Sequence, residues 1–132
     1  MKKIYLNVLP EYKDELEKKA KEVMKGEGLE GEVSITLVDD TFMEKLNFEY
    51  KGKKGTTDVI AFPFKEGEDS EFSGNLLGDI YISIEQASRQ KVGSLLDELK
   101  LLVVHGLLHL AGYNDTTDEE RKIMRKKEAE YL

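Results

Sequence analysis

The segment Leu102-Val-Val-His-Gly-Leu-Leu-His-Leu-Ala-Gly-Tyr-Asn-Asp115 decides how the rest of the chain is read. Ahead of it, Ser94 with Asp97 three residues on reads as an N-cap and capping box, and Gly112 is a C′ stop. Together they predict a helix over 94–111. At about 100° per residue its leucines, valines and Ala111 spread round most of the circumference, while Glu98, His105 and His109 share one narrow stripe. The helix is therefore expected inside the protein, with two imidazoles one turn apart facing the same way. That is how a helix offers two neutral nitrogens to one metal ion, and HExxH zinc enzymes use the same spacing with a glutamate as general base. Here Gly106 stands in the place of that glutamate. Past Gly112, a tight turn can bring Asp115 back over the stripe as a third, carboxylate ligand.

A plainer reading competes with this one. A His pair four apart is commonly just hydrogen-bonded or solvated, and Asp115 lies ahead of Thr116, Thr117, Glu119 and Glu120, where it could serve only as a helix N-cap. The setting favours the metal. The chain has two histidines, both inside its most hydrophobic stretch, where an unpartnered polar group is costly to bury.

With 132 residues, 39% of them hydrophobic, the chain is read as a single domain over 1–132 closing one core. The absence of cysteine excludes a disulfide framework and a thiolate zinc cluster. Neither a signal peptide nor a membrane span is expected, since no apolar run reaches 18 residues; the expected location is cytoplasmic. Charged residues, mostly Glu and Lys, make up 36% of the chain, a composition that suits heat adaptation. A net charge of −7 argues against a general nucleic-acid coat but leaves room for a local basic groove.

In order, residues 2–8 alternate as a half-buried strand with Ile4, Leu6 and Val8 on one face. Pro10 opens a helix over 10–25 that turns Leu16, Ala20, Val23 and Met24 inward and stops at Gly26 and Gly28. A second strand covers 32–38, and a short helix over 41–50 carries Phe42, Met43, Leu46 and Tyr50. Lys51, Lys53 and Lys54 then sit in a Gly-containing turn leading to a strand at 57–62; the cluster is either a phosphate-facing patch or a solvated loop. Residues 65–75 read as a surface loop, 77–82 as a fourth strand, 84–92 as a helix, and 117–131 as an amphipathic helix with a Thr117/Glu120 capping box and Ile123, Met124, Ala129 and Leu132 inward. The expected class is α+β: a four-stranded mixed sheet with about five helices, the buried His-bearing helix packed centrally across it.

Three ordered blocks, Leu46-Asn-Phe-Glu-Tyr-Lys51 leading to Thr57-Asp-Val-Ile-Ala-Phe62, Leu77-Gly-Asp-Ile80, and His105 to Asp115, resemble the signature of the YbeY family over about 35–124. That resemblance implies a metzincin-like fold and a metal-dependent, single-strand-specific endoribonuclease of ribosomal RNA maturation and ribosome quality control. The implied partners are single-stranded ribosomal RNA, the ribosome and ribosomal proteins, and the implied cofactor is one Zn²⁺ per chain. The family's first two zinc-binding histidines match His105 and His109, and its third falls on Asp115. Its functional arginine falls on Lys51, Asn114 stands where the family has Asp, and Ala61 where serine is usual. The expected site is thus His105, His109 and Asp115 for the metal, Lys51 as a catalytic cation, and Lys51, Lys53 and Lys54 toward RNA. The alternative is a non-catalytic ribosome-assembly factor with a structural metal.

Overall fold

The structure is a computed structural model that describes residues 2–64 and 76–132; the expected loop at 65–75 lies outside the described residues. The elements run β1 (Lys2–Asn7), α1 (Pro10–Glu27), β2 (Gly31–Val38), α2 (Asp40–Lys51), β3 (Val59–Pro63), β4 (Leu76–Ser83), α3 (Ile84–Gln90), α4 (Leu95–Leu110) and α5 (Asp118–Tyr131). The sheet order is β1-β2-β4-β3; β1, β2 and β4 are parallel, and β3 is an antiparallel edge strand on β4. This is the mixed sheet with five helices expected from the sequence.

Strand alternation decides where the core lies. Val33 pairs with Gly78, Ile35 with Ile80 and Leu37 with Ile82, and on the far side Ala61 pairs with Ile80. These residues share one face, on which α1 and α4 pack through a single cluster that includes Leu16, Ala20, Val23, Leu99, Val103 and Leu107. Leu99, Val103, Val104, Leu107 and Leu108 are fully buried, so α4 is the central helix. Its N-terminus is capped as expected, by Ser94 Oγ accepting from the Asp97 N–H at 3.1 Å.

Two local readings are corrected. Gly26 does not stop α1, which continues to Glu27 and ends at Gly28 in the left-handed region, φ 68°. Gly26 is a glycine because the Tyr131 ring lies directly over it, where a Cβ would overlap the ring. The inward side of α5 also differs: of the four residues expected there only Met124 is buried, while Ile123 and Leu132 are 50% and 61% exposed and Ala129 is exposed. Lys127, Glu128 and Tyr131 turn inward instead, at i+3, i+4 and i+7 from Met124. Their apolar stems pack while their polar ends find partners. Tyr131, Tyr113 and Lys127 all hydrogen-bond the Glu27 carboxylate. Burial pushes that carboxyl up, but these three donors outweigh it and hold Glu27 below its usual range.

Helix and sheet approach closely at Gly106, where a Cβ would stand 2.9 Å from Ile80 Cγ2 and 3.0 Å from its Cδ1. Glycine inside a helix costs about 0.5–1 kcal/mol against alanine, whereas overpacking a core costs about 1–3 kcal/mol. Packing therefore wins over propensity. Gly106→Ala is expected to destabilise the protein by about 1 kcal/mol, near the middle of the difference of those terms (about 0–2.5 kcal/mol), in chemical denaturation. A variant as stable as the parent would show that the contact yields.

Candidate metal centre

Two backbone devices bring the third donor to the histidine stripe. At the end of α4, the Gly112 N–H donates to the His109 carbonyl at 3.0 Å and the Tyr113 N–H to the Leu108 carbonyl at 3.0 Å. Gly112 at φ 105° reverses the chain, in a conformation open to glycine and strained for other residues. Beyond the turn, Arg121 Nη1 donates to the carbonyls of Asp115 and Thr116 at 3.2 and 3.0 Å. Asp115 does not cap α5. Thr117 does, accepting from the Glu120 N–H at 3.1 Å, while the Glu120 carboxylate accepts from the Thr117 N–H at 3.0 Å.

Freed from capping, the Asp115 carboxylate faces both imidazoles. Its Oδ2 is 3.3 Å from His105 Nε2 and 3.4 Å from His109 Nε2, and the two nitrogens are 3.1 Å apart. Among the described residues this is the group of His and carboxylate side chains whose donor atoms could hold one metal ion. A tetrahedral ion bonded at about 2.0–2.1 Å sets its ligands about 3.3–3.4 Å apart, the spacing of Asp115 from each imidazole, while the 3.1 Å between the two imidazole nitrogens is shorter.

His105 is oriented from behind. Its Nδ1 lies 2.6 Å from Glu128 Oε2 on α5, a carboxylate only 14% exposed, so that Nδ1–H donates to Glu128 and Nε2 faces the other donors. Holding a ligating imidazole by its other nitrogen is the usual way to fix its tautomer. Apolar periodicity missed Glu128; the polar residues of α5 at the Met124 spacing were the available signal. Burial opposes charging His105, but the hydrogen bond and charge of Glu128, with Asp115 and Asp58 behind, raise its pKa above the ordinary value. Burial and the neighbouring His105 charge lower that of His109.

A pocket of about 190 Å³ opens over the triangle, lined by His105, His109, Asp115, Lys51, Thr57, Asp58, Val59 and Ala61. Lys51, at the end of α2, is thus brought to the site. Lys53 and Lys54 are exposed in the following turn and do not line the pocket. That turn is pinned by the buried Asn47, whose Nδ2 donates to the Gly55 carbonyl at 3.0 Å. Asp58, unremarked in the sequence, is fixed by the Val59 N–H at 2.7 Å and Gln90 Nε2 at 3.0 Å. Larger recesses, of about 480 Å³ beside the start of α4 and about 500 Å³ at the ends of β1 and β2, hold no comparable donor triangle.

Fold and site together define an α+β protein with a two-histidine, one-carboxylate group whose donor atoms could hold one metal ion. The sequence model of the family described as Endoribonuclease YbeY matches residues 3–132. An endoribonuclease YbeY of Pelotomaculum thermopropionicum is 46% identical over 124 residues, covering 89% of this chain and 82% of that protein. That of Carboxydothermus hydrogenoformans is 44% identical over 109 residues, covering 80% and 73%. The solution structure of TM1509 from Thermotoga maritima superposes with a TM-score of 0.64 at 30% identity, covering 99% of this chain and 86% of that one. The chain belongs to the Endoribonuclease YbeY family, and its class of activity is that of an endoribonuclease.

The paired imidazoles generate a prediction for the metal-free protein. In NMR titration His105 is expected to change charge above pH 6.5 and His109 below it, and Glu128→Gln to bring His105 down, since the amide accepts the hydrogen bond without the charge. The raised His105 value stabilises the fold below about pH 6.5, an effect lost as pH rises through the folded pKa; the lowered His109 value costs stability as pH falls below the same point. Coincident titration of both rings would overturn this ordering.

Proposed function

We propose that the chain is a zinc-dependent endoribonuclease that cuts single-stranded ribosomal RNA during its maturation on the ribosome, where ribosomal proteins flank its substrate. The observation that carries the reading is the donor triangle of 3.1–3.4 Å formed by His105, His109 and Asp115 beside Lys51. These three residues would hold the ion, and a carboxylate is an acceptable third zinc ligand that leaves a fourth position open. When bound, such an ion supplies Lewis acidity toward a phosphoryl oxygen and acidifies a coordinated water. The chain's own residues do the rest. Glu128 holds the His105 Nδ1 proton, so that Nε2 keeps its lone pair for the ion, and Lys51 on the pocket wall offsets charge gathering on the scissile phosphate. Lys53 and Lys54 attract the RNA backbone from outside the pocket. Peptide hydrolysis by the HExxH route is disfavoured by packing, because a glutamate at Gly106 would have to displace Ile80.

His105→Ala and His109→Ala are each expected to lose stoichiometric zinc, by elemental analysis, while circular dichroism shows the helices intact. Asp115→Ala should weaken zinc binding without the cap loss of about 0.5–2 kcal/mol, because Thr117 does the capping. Full zinc content in the histidine variants would end the assignment. Lys51→Ala should lower cleavage of single-stranded RNA by about 10²-fold, with Lys51→Arg retaining it; zinc-loaded protein that binds but never cuts would favour a non-catalytic assembly factor.

A further inference from the structure

The three sequence blocks that carry the family resemblance also contain residues the metal triangle does not use. Leu46 and Tyr50 of α2, Phe62 of β3 and Asp79 of β4, with Phe64 and Tyr81, line a recess of about 230 Å³. Asp79 and Tyr81 alternate along β4 with the core residues Ile80 and Ile82, so the recess opens on the face of the sheet away from α4. Its aromatic rings are in mutual contact: Tyr50 lies 4.7 Å from Phe62 at 61°, and Phe62 5.9 Å from Tyr81 at 74°. Yet Tyr50 is 65% and Phe64 44% exposed. Large aromatic groups clustered and left in water point to a ligand rather than to the core.

Position and chemistry say which ligand. The recess and the metal pocket are two sides of one wall: on the edge strand β3 Ala61 lines the pocket and Phe62 the recess, and at the end of α2 Lys51 lines the pocket and Tyr50 the recess. Each pair is consecutive, with Cα atoms about 3.8 Å apart. An RNA strand whose phosphate sits beside Lys51 therefore reaches the recess with a neighbouring nucleotide. The recess itself repels a phosphate, because the charged group in its lining is the Asp79 carboxylate, fixed by the Ser34 hydroxyl at 2.6 Å. Flat aromatic walls with one acceptor carboxylate suit a nucleobase, which stacks on the rings and donates its exocyclic amino hydrogens to Asp79.

We propose that this recess is a base-binding subsite that takes an unpaired nucleobase flanking the scissile phosphate, with Tyr50 as its stacking residue. The proposal rests on the reading that RNA is cut over the His105–His109–Asp115 triangle. It supplies a physical basis for single-strand preference, since a paired and stacked base cannot enter.

The test uses the zinc-loaded full chain and a single-stranded RNA oligonucleotide with one cleavage site, alongside a set carrying one abasic residue at each flanking position. One abasic position is expected to raise KM about tenfold, the order of removing one stacked base. Tyr50→Ala should raise KM on the intact RNA similarly, with kcat little changed, while Tyr50→Phe behaves as the parent. The abasic residue should cost Tyr50→Ala nothing further, since both changes remove one contact. In the parent protein, 8-azidoadenosine, which keeps the exocyclic amine, should photo-cross-link at that position to Tyr50, Phe62 or Phe64, which decides the matter even if Tyr50→Ala fails to fold. Independent, additive effects, tolerance of abasic residues at every position, or cross-links confined to other surfaces would overturn the subsite while leaving the cleavage reading intact. Parent protein that cuts no RNA would overturn both.

Discussion

Gly106 rests on Ile80 with no room for a Cβ, and that contact sets the depth and rotation of α4 on the sheet. With α4 seated there, Val103 and Leu107 go into the core and the 105/109 stripe is left facing the edge strand β3. The same seat places the end of α4 over Gly78, where a Cβ would meet the Phe62 carbonyl at 2.6 Å and a Leu110 methyl at 2.7 Å. Two side-chain-free positions, one on the helix and one on the strand, thus bring a polar stripe within reach of Lys51 and Asp58. The absence of a zincin glutamate and the presence of the pocket are two consequences of one packing constraint.

On the proposed assignment, electrostatics explains why the pocket would need a cation before it could accept RNA. Asp58, Asp115 and Glu128 lie around two imidazoles, with Lys51 the one basic side chain lining the pocket. The chain as a whole carries −7. Such a pocket repels a phosphate diester until an ion offsets that negative charge. In the metal-free protein burial opposes charge on His105, but Glu128, Asp115 and Asp58 outweigh it and raise its pKa. On the proposed assignment, ion and proton compete for the same nitrogen, so metal binding and proton release are coupled.

Much of this was legible in the sequence because the signals were local. Ser94 and Thr117 cap where their residue types said they would, and the 3.6-residue pattern of 99–108 announced a buried helix. The return of Asp115 over the stripe followed from Gly112 and the short distance to Thr117. What stayed hidden was tertiary. Glu128 belongs to a helix face whose inward residues are Met, Lys, Glu and Tyr, and only the positions of Glu27 and His105 on other elements reveal why those residues point in. Gly26 misled because a glycine near a helix end usually marks a stop, whereas here the neighbour across the interface, Tyr131, dictates it. Lys51 could be told from Lys53 and Lys54 only once the path of the turn was known.

The departure at Asp115 comes with its own mechanical solution. An aspartate places its oxygen closer to its backbone than a histidine places Nε2, so a carboxylate third ligand requires the chain after α4 to approach the stripe more closely. The turn is held to that path from both ends, by the Tyr113 hydroxyl on Glu27 at 3.0 Å and by Arg121 on the carbonyls of Asp115 and Thr116. A carboxylate also neutralises part of the charge of a bound ion, which on its own makes a coordinated water less acidic than three imidazoles would. Lysine in place of arginine at position 51 keeps the positive charge but loses the bidentate fork. On the proposed assignment, both departures would weaken the pull on a phosphate without removing it, and neither touches the contact of Gly106 with Ile80. The physical expectation is a site that keeps the family's chemistry, with its working range displaced toward higher pH.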